Sequence, residues 1–270
     1  MSAPLDPCLQ SILSGLGPSI VAFSGGVDST YLLYAAHAVL GGEVLAVTAV
    51  SPSLAESERQ ATVDLARSIG ATHRLVTTDE MDEPGYVAND GRRCYFCKRA
   101  LFHALRTLEG VAPGRAILYG AIPEDFGDDR PGMRAAAEAG VRAPLVEAGL
   151  TKPVIRDLAR RAGLGNWDKP AMACLASRLP RSTPVTEAAL RQIDRAEQAI
   201  RGLGYRQVRV RHHGSLARVE LDPADLPRAL SGIARSAIDG AARGAGYLDV
   251  EIDPRGYRPG GQPAPGGGIR

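Results

Sequence analysis

The sequence predicts an α/β protein in which a parallel sheet covered by helices is followed by a smaller α+β domain. In the first half, short apolar runs alternate with segments of helical periodicity in the order β-α-β-α, which is typical of parallel sheets. Beyond residue 182, a long amphipathic segment precedes two alternating stretches that lie close together in the chain, which favours a helix and a hairpin. We therefore expect domains over residues 1–181 and 182–258 and a flexible, Gly/Pro-rich tail over 259–270.

The elements of the first domain follow from apolar runs and capping signals. Apolar runs predict strands at 20–23, 43–50, 73–76 and 116–119. Helical spacing predicts helices at 29–39, 53–69, 98–108, 128–139 and 151–162. Ser53 and Glu56 form a capping-box pattern, Gly70 is a helix stop, and Thr151 is the expected N-cap of the last helix.

The second domain begins with a helix predicted at 186–203, where apolar residues recur at helical spacing. Alternating residues predict strands at 207–213 and 216–221 around the turn His213-Gly214-Ser215. Asp222-Pro223 predicts the start of a further helix, and 247–252 a last strand.

Composition excludes several classes of function. A net charge of +2 gives no field that would favour nucleic acid or a membrane surface. No apolar stretch approaches the roughly 20 residues of a membrane span, and we see no secretory signal at the N-terminus. Four cysteines are too few for a disulfide scaffold of this size. We expect a cytoplasmic protein.

The segment SGGVDS at residues 24–29 lies between an apolar strand and a helix. Its glycines, Gly25 and Gly26, allow close approach of an anion to the backbone, and the helix N-terminus presents N–H groups. Ser24 and Ser29 add hydroxyl donors, and Asp28 is a candidate Mg²⁺ ligand. The spacing matches neither GxxxxGK[ST] nor GxGxxG, and the alternative interpretation is a Gly-rich turn.

Two further positions fit a nucleotide site at the carboxyl ends of the strands. Ser51 follows the second predicted strand and Gly120 the fourth. Both are equally compatible with simple turn residues.

Three cysteines suggest metal or redox chemistry. Cys94 and Cys97 form a CxxC pair just before a predicted helix, and Cys174 lies in the segment WDKPAMACLASR. A zinc site would need a second pair, whereas three thiolates can hold three irons of a [4Fe–4S] cluster and leave one iron open. The alternative is two buried cysteines and an unrelated third. Cys8 is best explained as an incidental small apolar residue.

The SGGVDS motif resembles the pyrophosphate loop of ATP pyrophosphatases. This implies a PP-loop, adenine nucleotide α-hydrolase-like fold that binds ATP with Mg²⁺ at the carboxyl ends of the strands. Longer segments resemble the LarE family of ATP-dependent sulfur transferases, and WDKP-x-x-ACL-x-SR is the most specific of these matches. The segments are 92–102, 119–183, 206–221 and 246–260.

The resemblance implies an enzyme that adenylates a carboxylate of pyridinium-3,5-biscarboxylic acid mononucleotide and converts it to a thiocarboxylate. The product leads to the nickel-pincer cofactor of lactate racemase. In one branch the cysteine at the position of Cys174 gives up its own sulfur. In the other, which we expect here, Cys94, Cys97 and Cys174 hold a [4Fe–4S] cluster that carries an extra sulfide. The resemblance also suggests a homo-oligomer.

The implied substrate is an anionic small molecule with a 5′-phosphate. Ser177, Arg178, Arg209 and Arg211 are the candidate phosphate contacts, and Arg209 and Arg211 share one face of a strand by alternation. The alternative interpretation is that these arginines lie on a solvent-exposed face and contact no substrate.

The sequence departs from the family pattern in two places. Family members commonly read GTNADD where this chain has GAIPED at 120–125, so the Thr and Asn side chains are lost. Asp125 is a candidate acid or Mg²⁺ ligand. Arg181 stands where the family often has tyrosine.

Two other classes of function compete with this interpretation. A PP-loop tRNA thiolase would call for a basic, aromatic-rich surface, which the composition disfavours. An ATP-binding regulatory module would also contain SGGVDS, but its function would not require a cysteine at position 174.

Overall fold

The computed structural model describes residues 5–108, 114–126, 131–170 and 173–258. The chain divides into two compact units. The first comprises Met1–Ser51, Ser57–Tyr86 and Gly91–Met172, and the second comprises Pro52–Glu56, Val87–Asp90 and Ala173–Arg270. The tail predicted over 259–270 lies outside the described residues, and the domain limits predicted from the sequence stay predictions.

The first unit is built on a parallel sheet of four strands within the described residues. They are β1 (Ser19–Ala22), β2 (Val44–Val50), β3 (Thr72–Thr77) and β4 (Ala116–Tyr119). Their order is β3-β2-β1-β4, and Val21 of β1 lies between Ala46 of β2 and Leu118 of β4. Together with the smaller mixed sheet of the second unit, this confirms the predicted α/β class.

Helices cover both faces of this sheet. They are α1 (Pro7–Ser14), α2 (Val27–Leu40), α3 (Glu56–Ile69), α4 (Pro84–Val87), α5 (Arg93–Arg106), α6 (Pro131–Glu138), α7 (Pro144–Glu147) and α8 (Lys152–Arg161). As its apolar sequence predicts, α2 is buried along most of its length and packs with Leu9 and Leu13 of α1 and Ile155 of α8 in one core. No helix within the described residues is long and apolar enough to cross a membrane.

The strand order creates a switch point between β1 and β4. The chain runs outward from β1 through β2 to β3 and then returns to the other side of β1 as β4. Ligands of open α/β sheets bind where the order reverses, beyond the carboxyl ends of the strands. Ser24-Gly25-Gly26 follows β1 and Gly120 follows β4, so the two sequence motifs meet at this crevice.

The capping box predicted at Ser53 and Glu56 is wrong, because α3 begins only at Glu56. The Ser53 carbonyl accepts a hydrogen bond from the backbone N–H of Leu175 (2.9 Å). Ser53 and Leu175 both belong to the second unit. A hydrogen bond between distant residues thus stands where the sequence predicted a local helix cap.

The start of α5 also differs from the prediction. The helix begins at Arg93, so Cys94 and Cys97 lie inside its first turns and not before them. In this first part of α5, Phe96 packs so closely on Gly85 that a β-carbon there would overlap its ring. Phe96 thus lies directly on the backbone of Gly85.

The second unit packs helices on one face of a three-stranded sheet. Its elements are α9 (Glu187–Gly202), β5 (Val208–His213), β6 (Leu216–Leu221), α10 (Leu226–Ala229), α11 (Gly232–Gly244) and β7 (Asp249–Ile252). The predicted hairpin is confirmed, since β5 and β6 pair antiparallel, while β7 adds to β6 in parallel. Val208 and Val210 face the apolar core with Ile200 of α9, so alternation puts Arg209 and Arg211 on the other face.

Candidate active site

The loop after β1 has the backbone geometry of an anion-binding turn. Gly25 has a φ of +70°, and a β-carbon there would stand 3.0 Å from the Thr62 side chain, so glycine suits this position. Gly26 is the N-cap of α2 and offers no side-chain capping bond. The Ser29 hydroxyl donates to the Gly26 carbonyl (3.1 Å) and accepts from the Ser24 N–H (3.3 Å), which closes the loop on the first turn of the helix.

Gly120 lies against the same turn. A β-carbon on Gly120 would stand 2.8 Å from the backbone nitrogen of Ser29 and 3.0 Å from its α-carbon. A side chain there would cover the positive end of α2, where an anion gains from the helix dipole. The structure therefore brings Gly120 together with the loop Ser24-Gly25-Gly26 and Ser29, and their role in binding ATP stays a prediction.

Asp28 is half-buried in the first turn of α2 and is the candidate Mg²⁺ ligand. Its Oδ2 accepts a hydrogen bond from the Lys152 ammonium (2.6 Å). Its Oδ1 is buried and has no hydrogen-bond partner among the described residues. A buried carboxylate oxygen left without a donor fits a cation ligand, so the residue suits the metal that accompanies ATP.

Two residues that the sequence reasoning missed support the loop. The Asn166 amide donates to the Gly25 carbonyl (3.0 Å) and to the Thr30 hydroxyl (2.9 Å). The Lys169 ammonium lies 2.6 Å from Glu58 Oε2 and 3.5 Å from the Gly25 carbonyl oxygen. Lys169 belongs to the motif WDKP-x-x-ACL-x-SR, which was the available signal for it, whereas Asn166 precedes that motif. Trp167 and Asp168 are exposed.

Ser51 and Asp125 lie in segments that follow two strands of the first unit. Ser51 directly follows β2 and is half-buried. Asp125 is in a short 3₁₀ turn after β4, where its carboxylate accepts from the Ile122 N–H (3.2 Å). Burial, and then the charge of Asp125, raise the pKa of Tyr119. The roles predicted for Ser51 and Asp125 stay predictions.

The cysteines are free thiols in different settings. Cys94 is exposed and Cys97 half-buried, and one turn of α5 separates them, whereas Cys174 is exposed in the second unit and Cys8 in α1. Among the described residues, no group of three or more Cys, His, Asp or Glu side chains is placed to hold a metal ion. The cluster prediction thus rests on the chemistry of a three-thiolate donor set.

A buried ion pair lies behind Cys174. Arg178 is 1% exposed and its Nε donates to Glu197 Oε1 (2.8 Å), a carboxylate that is fully buried. Burial opposes the charge of both groups, but their mutual attraction raises the pKa of Arg178 and lowers that of Glu197. Arg178 Nη1 donates to the Cys174 carbonyl (2.9 Å).

The three arginines predicted to contact the substrate phosphate are buried, and that role stays a prediction. Arg178 and Arg211 are buried and their forks bind carboxylates, Glu197 for Arg178 and Glu220 for Arg211 (2.9 and 3.0 Å). Arg209 is also buried and lies over the ring of Tyr257 (5.2 Å to its centroid). Burial and repulsion by Arg178 lower the pKa of Arg209 to about 10. Neither arginine of β5 lies on a solvated face.

Comparison with known proteins gives whole-chain matches, although no family model matches the chain. The chain is 40% identical over 252 residues to an uncharacterized protein of Synechocystis sp., covering 93% of this chain and 94% of that protein. It is 35% identical over 253 residues to the pyridinium-3,5-bisthiocarboxylic acid mononucleotide synthase of Lactiplantibacillus plantarum, covering 93% and 91%. The chain belongs to the LarE family.

Membership of the LarE family confirms the resemblance carried by WDKP-x-x-ACL-x-SR and the prediction of an enzyme. An uncharacterized protein of Methanocaldococcus jannaschii matches at 24% identity over 203 residues, 75% of this chain and 77% of that protein.

Proposed function

We propose that this LarE family chain uses ATP to activate a carboxylate of pyridinium-3,5-biscarboxylic acid mononucleotide and replaces an oxygen of that carboxylate with sulfur. The product is a thiocarboxylate for a nickel-pincer cofactor. The observation that carries the ATP step is the loop 24–29 at the switch point between β1 and β4, with Gly120 against its helix. The name of the L. plantarum relative supports the substrate.

The activation step follows from the residues of the loop. A carboxylate oxygen attacks the α-phosphorus of ATP, the bond to the β-phosphate breaks, and pyrophosphate leaves. The loop backbone and the α2 N-terminus stabilise the departing anion. Asp28 is our Mg²⁺ ligand, and Lys152 beside it (2.6 Å) is a second cation for the phosphates.

Sulfur transfer is assigned to Cys174, as a ligand of the sulfur-carrying cluster or, in the alternative, as the sacrificial donor. In the sacrificial form, the Cys174 thiolate sulfur forms a bond to the acyl carbon, and AMP leaves with the electron pair of the C–O bond. The Cβ–Sγ bond of Cys174 then breaks with its electrons on sulfur, a base removes the α-proton, and dehydroalanine remains. The exposure of the Cys174 side chain supports its access to the acyl carbon.

We propose Cys94, Cys97 and Cys174 as the ligands of a [4Fe–4S] cluster, which would supply a bound sulfide and spare the protein sulfur. Thiolates are the ligands of such clusters, and the chain has no second CxxC pair that would favour zinc.

The 5′-phosphate of the substrate is proposed to bind Ser177, Arg209 and Arg211. These residues belong to one unit, and Arg211 Nη1 donates to the Ser177 carbonyl (3.0 Å). Burial and then repulsion by Arg178 lower the pKa of Arg209, and a bound anion would offset that repulsion. A homo-oligomer, a cytoplasmic location and the lack of a nucleic-acid partner stay predictions.

The test separates activation from transfer. In Cys174→Ala, ATP–pyrophosphate exchange that depends on the pyridinium mononucleotide should continue, while thiolated product should vanish. Cys8→Ala, which removes an exposed thiol of α1, is the control and should keep both activities. Thiolated product from Cys174→Ala would refute the assignment, and exchange that needs no pyridinium mononucleotide would refute the substrate.

A further inference from the structure

Glu197 is a charged residue inside the core of the second unit. It lies in α9 with its side chain fully buried, and its two oxygens accept from Arg178 (2.8 and 3.1 Å). Oε2 also accepts from Arg201 (2.7 Å), and Oε1 from the Val210 N–H (3.0 Å). Every contact is charge-assisted, so the carboxylate fixes the Arg178 guanidinium in one orientation.

The other side of this guanidinium holds the backbone around Cys174. Arg178 Nη1 donates to the carbonyl oxygens of Ala173 (2.6 Å) and Cys174 (2.9 Å), and it lies 3.0 Å from the Ser177 hydroxyl. Leu175 is fixed separately, because its N–H binds the Ser53 carbonyl (2.9 Å). The backbone of Cys174 is therefore held on both sides while its side chain stays exposed.

Stability alone does not explain the pair. Replacing a buried ion pair by apolar residues is often neutral or stabilising, because desolvation offsets the attraction. The pair joins residues 19 positions apart and ends on two carbonyls next to one reactive sulfur. Such a pair fixes the position of the Cys174 sulfur. This matters because misplacing a reacting group by ~1 Å can cost ~100-fold in rate.

We propose that Glu197 and Arg178 are positioning residues, through which α9 fixes the Cys174 backbone for sulfur transfer. This inference rests on the proposed function. It replaces the sequence-based role of Arg178, for which a phosphate contact was predicted.

Arg178→Met is the first test, because Glu197 then keeps Arg201 and the Val210 N–H and no buried charge is left alone. Arg178→Met combined with Glu197→Gln is the second, in case the single variant folds poorly. Arg191→Met is the matched control, since Arg191 forms an exposed pair with Glu187 on the same helix.

For thiolation, we expect kcat to fall at least about tenfold in Arg178→Met. KM for the pyridinium mononucleotide and the rate of ATP–pyrophosphate exchange should stay at wild-type values, as should all parameters of Arg191→Met. A raised KM with unchanged kcat would overturn the proposal in favour of a phosphate contact, and wild-type kinetics would overturn it outright.

Amide hydrogen exchange gives a readout that needs no substrate. In Arg178→Met the amides of 175–179 should exchange at least about tenfold faster than in wild type, and in Arg191→Met they should not change. Unchanged exchange in both variants would overturn the proposal that Arg178 and Glu197 fix the Cys174 backbone. If exchange responds as expected but the wild-type protein does not thiolate the pyridinium mononucleotide, only the proposed function is refuted.

Discussion

The α-carbon of Gly120 lies so close to Ser29 that a β-carbon on it would stand 2.8 Å from the Ser29 backbone nitrogen. Gly120 directly follows β4, and Ser29 lies in the first turn of α2, the helix that follows the neighbouring strand β1. Because the contact is with backbone, no side-chain rotation can relieve it. A residue that looks like a turn glycine in the sequence thus keeps the positive end of α2 open.

Gly120→Ala should damage ATP binding more than folding. The added methyl must displace the first turn of α2, an overpacking that costs about 1–3 kcal/mol of unfolding free energy. The same displacement moves the phosphate donors, so KM for ATP should rise at least about tenfold. Gly42→Ala is the control, since a β-carbon there meets nothing within 4 Å. Equal ATP affinity in both variants would show that Gly120 is only a turn residue.

Asn166→Ala should destabilise the loop 24–29 and weaken ATP binding. It removes hydrogen bonds to the Gly25 carbonyl and the Thr30 hydroxyl, and buried groups left unpaired cost about 1–3 kcal/mol. For a unit of this size, each kcal/mol corresponds to a fall in Tm of about 2–4 °C. KM for ATP should rise as well. Gln60→Ala, which removes an exposed amide of α3, should change neither Tm nor KM.

Asp28→Asn should raise the Mg²⁺ concentration that half-saturates ATP–pyrophosphate exchange, by about tenfold or more. The variant removes the charge that attracts the ion, and Lys152 loses its partner (2.6 Å). Asp64→Asn, on the exposed surface of α3, should keep the wild-type Mg²⁺ dependence. An unchanged Mg²⁺ titration in Asp28→Asn would assign the carboxylate to holding Lys152 alone.

His73 should titrate below the usual histidine range. Its Nε2 lies 2.9 Å from the Thr48 hydroxyl, which donates to the Phe23 carbonyl (2.7 Å), and burial lowers the pKa of His73 from 6.5. A lowered folded-state pKa means that the unfolded chain binds the extra proton first, so stability is full above pH 6.5 and is lost as pH falls below it.

Two measurements check this assignment of His73. The imidazole resonance of His73 should titrate with a midpoint below 6.5. His73→Gln should weaken the loss of unfolding free energy between pH 7 and pH 5, although His212 and His213, whose pKa values are also lowered by burial, still contribute. A midpoint at or above 6.5 would contradict the burial argument.

Local sequence patterns were sufficient to predict those elements whose contacts join residues close together in the sequence. The hairpin of β5 and β6 was predicted because alternating residues flank Gly214, which has a φ of +67°. The four strands and five of the helices of the first unit followed from apolar runs and helical spacing, whereas α1, α4 and α7 were not predicted. The loop 24–29 was recognisable because its glycines and serines are contiguous.

Contacts between distant residues were not predictable in this way. Nothing near Arg178 in the sequence indicates that its guanidinium pairs with Glu197, 19 positions away. The capping box at Ser53 failed because Leu175 binds its carbonyl. The role of Asn166 is equally invisible, since its partners Gly25 and Thr30 lie more than 130 positions away.

The cysteines give the sharpest remaining prediction, because they decide the source of sulfur. Cys94 and Cys97 are one helical turn apart on α5, so their side chains share a face. Purified without oxygen, the protein should contain about four irons and four or five acid-labile sulfides per chain. Cys94→Ala, Cys97→Ala and Cys174→Ala should each lose most of the iron.

Cys8→Ala provides the control for this experiment, because it removes an exposed thiol outside the donor set and should keep the iron. The sacrificial mechanism makes the opposite prediction. An iron-free protein that thiolates its substrate once, while the peptide carrying Cys174 loses the mass of H₂S, would establish Cys174 as the donor. Cys94 and Cys97 would then need another role, and substituting them should leave that single turnover intact.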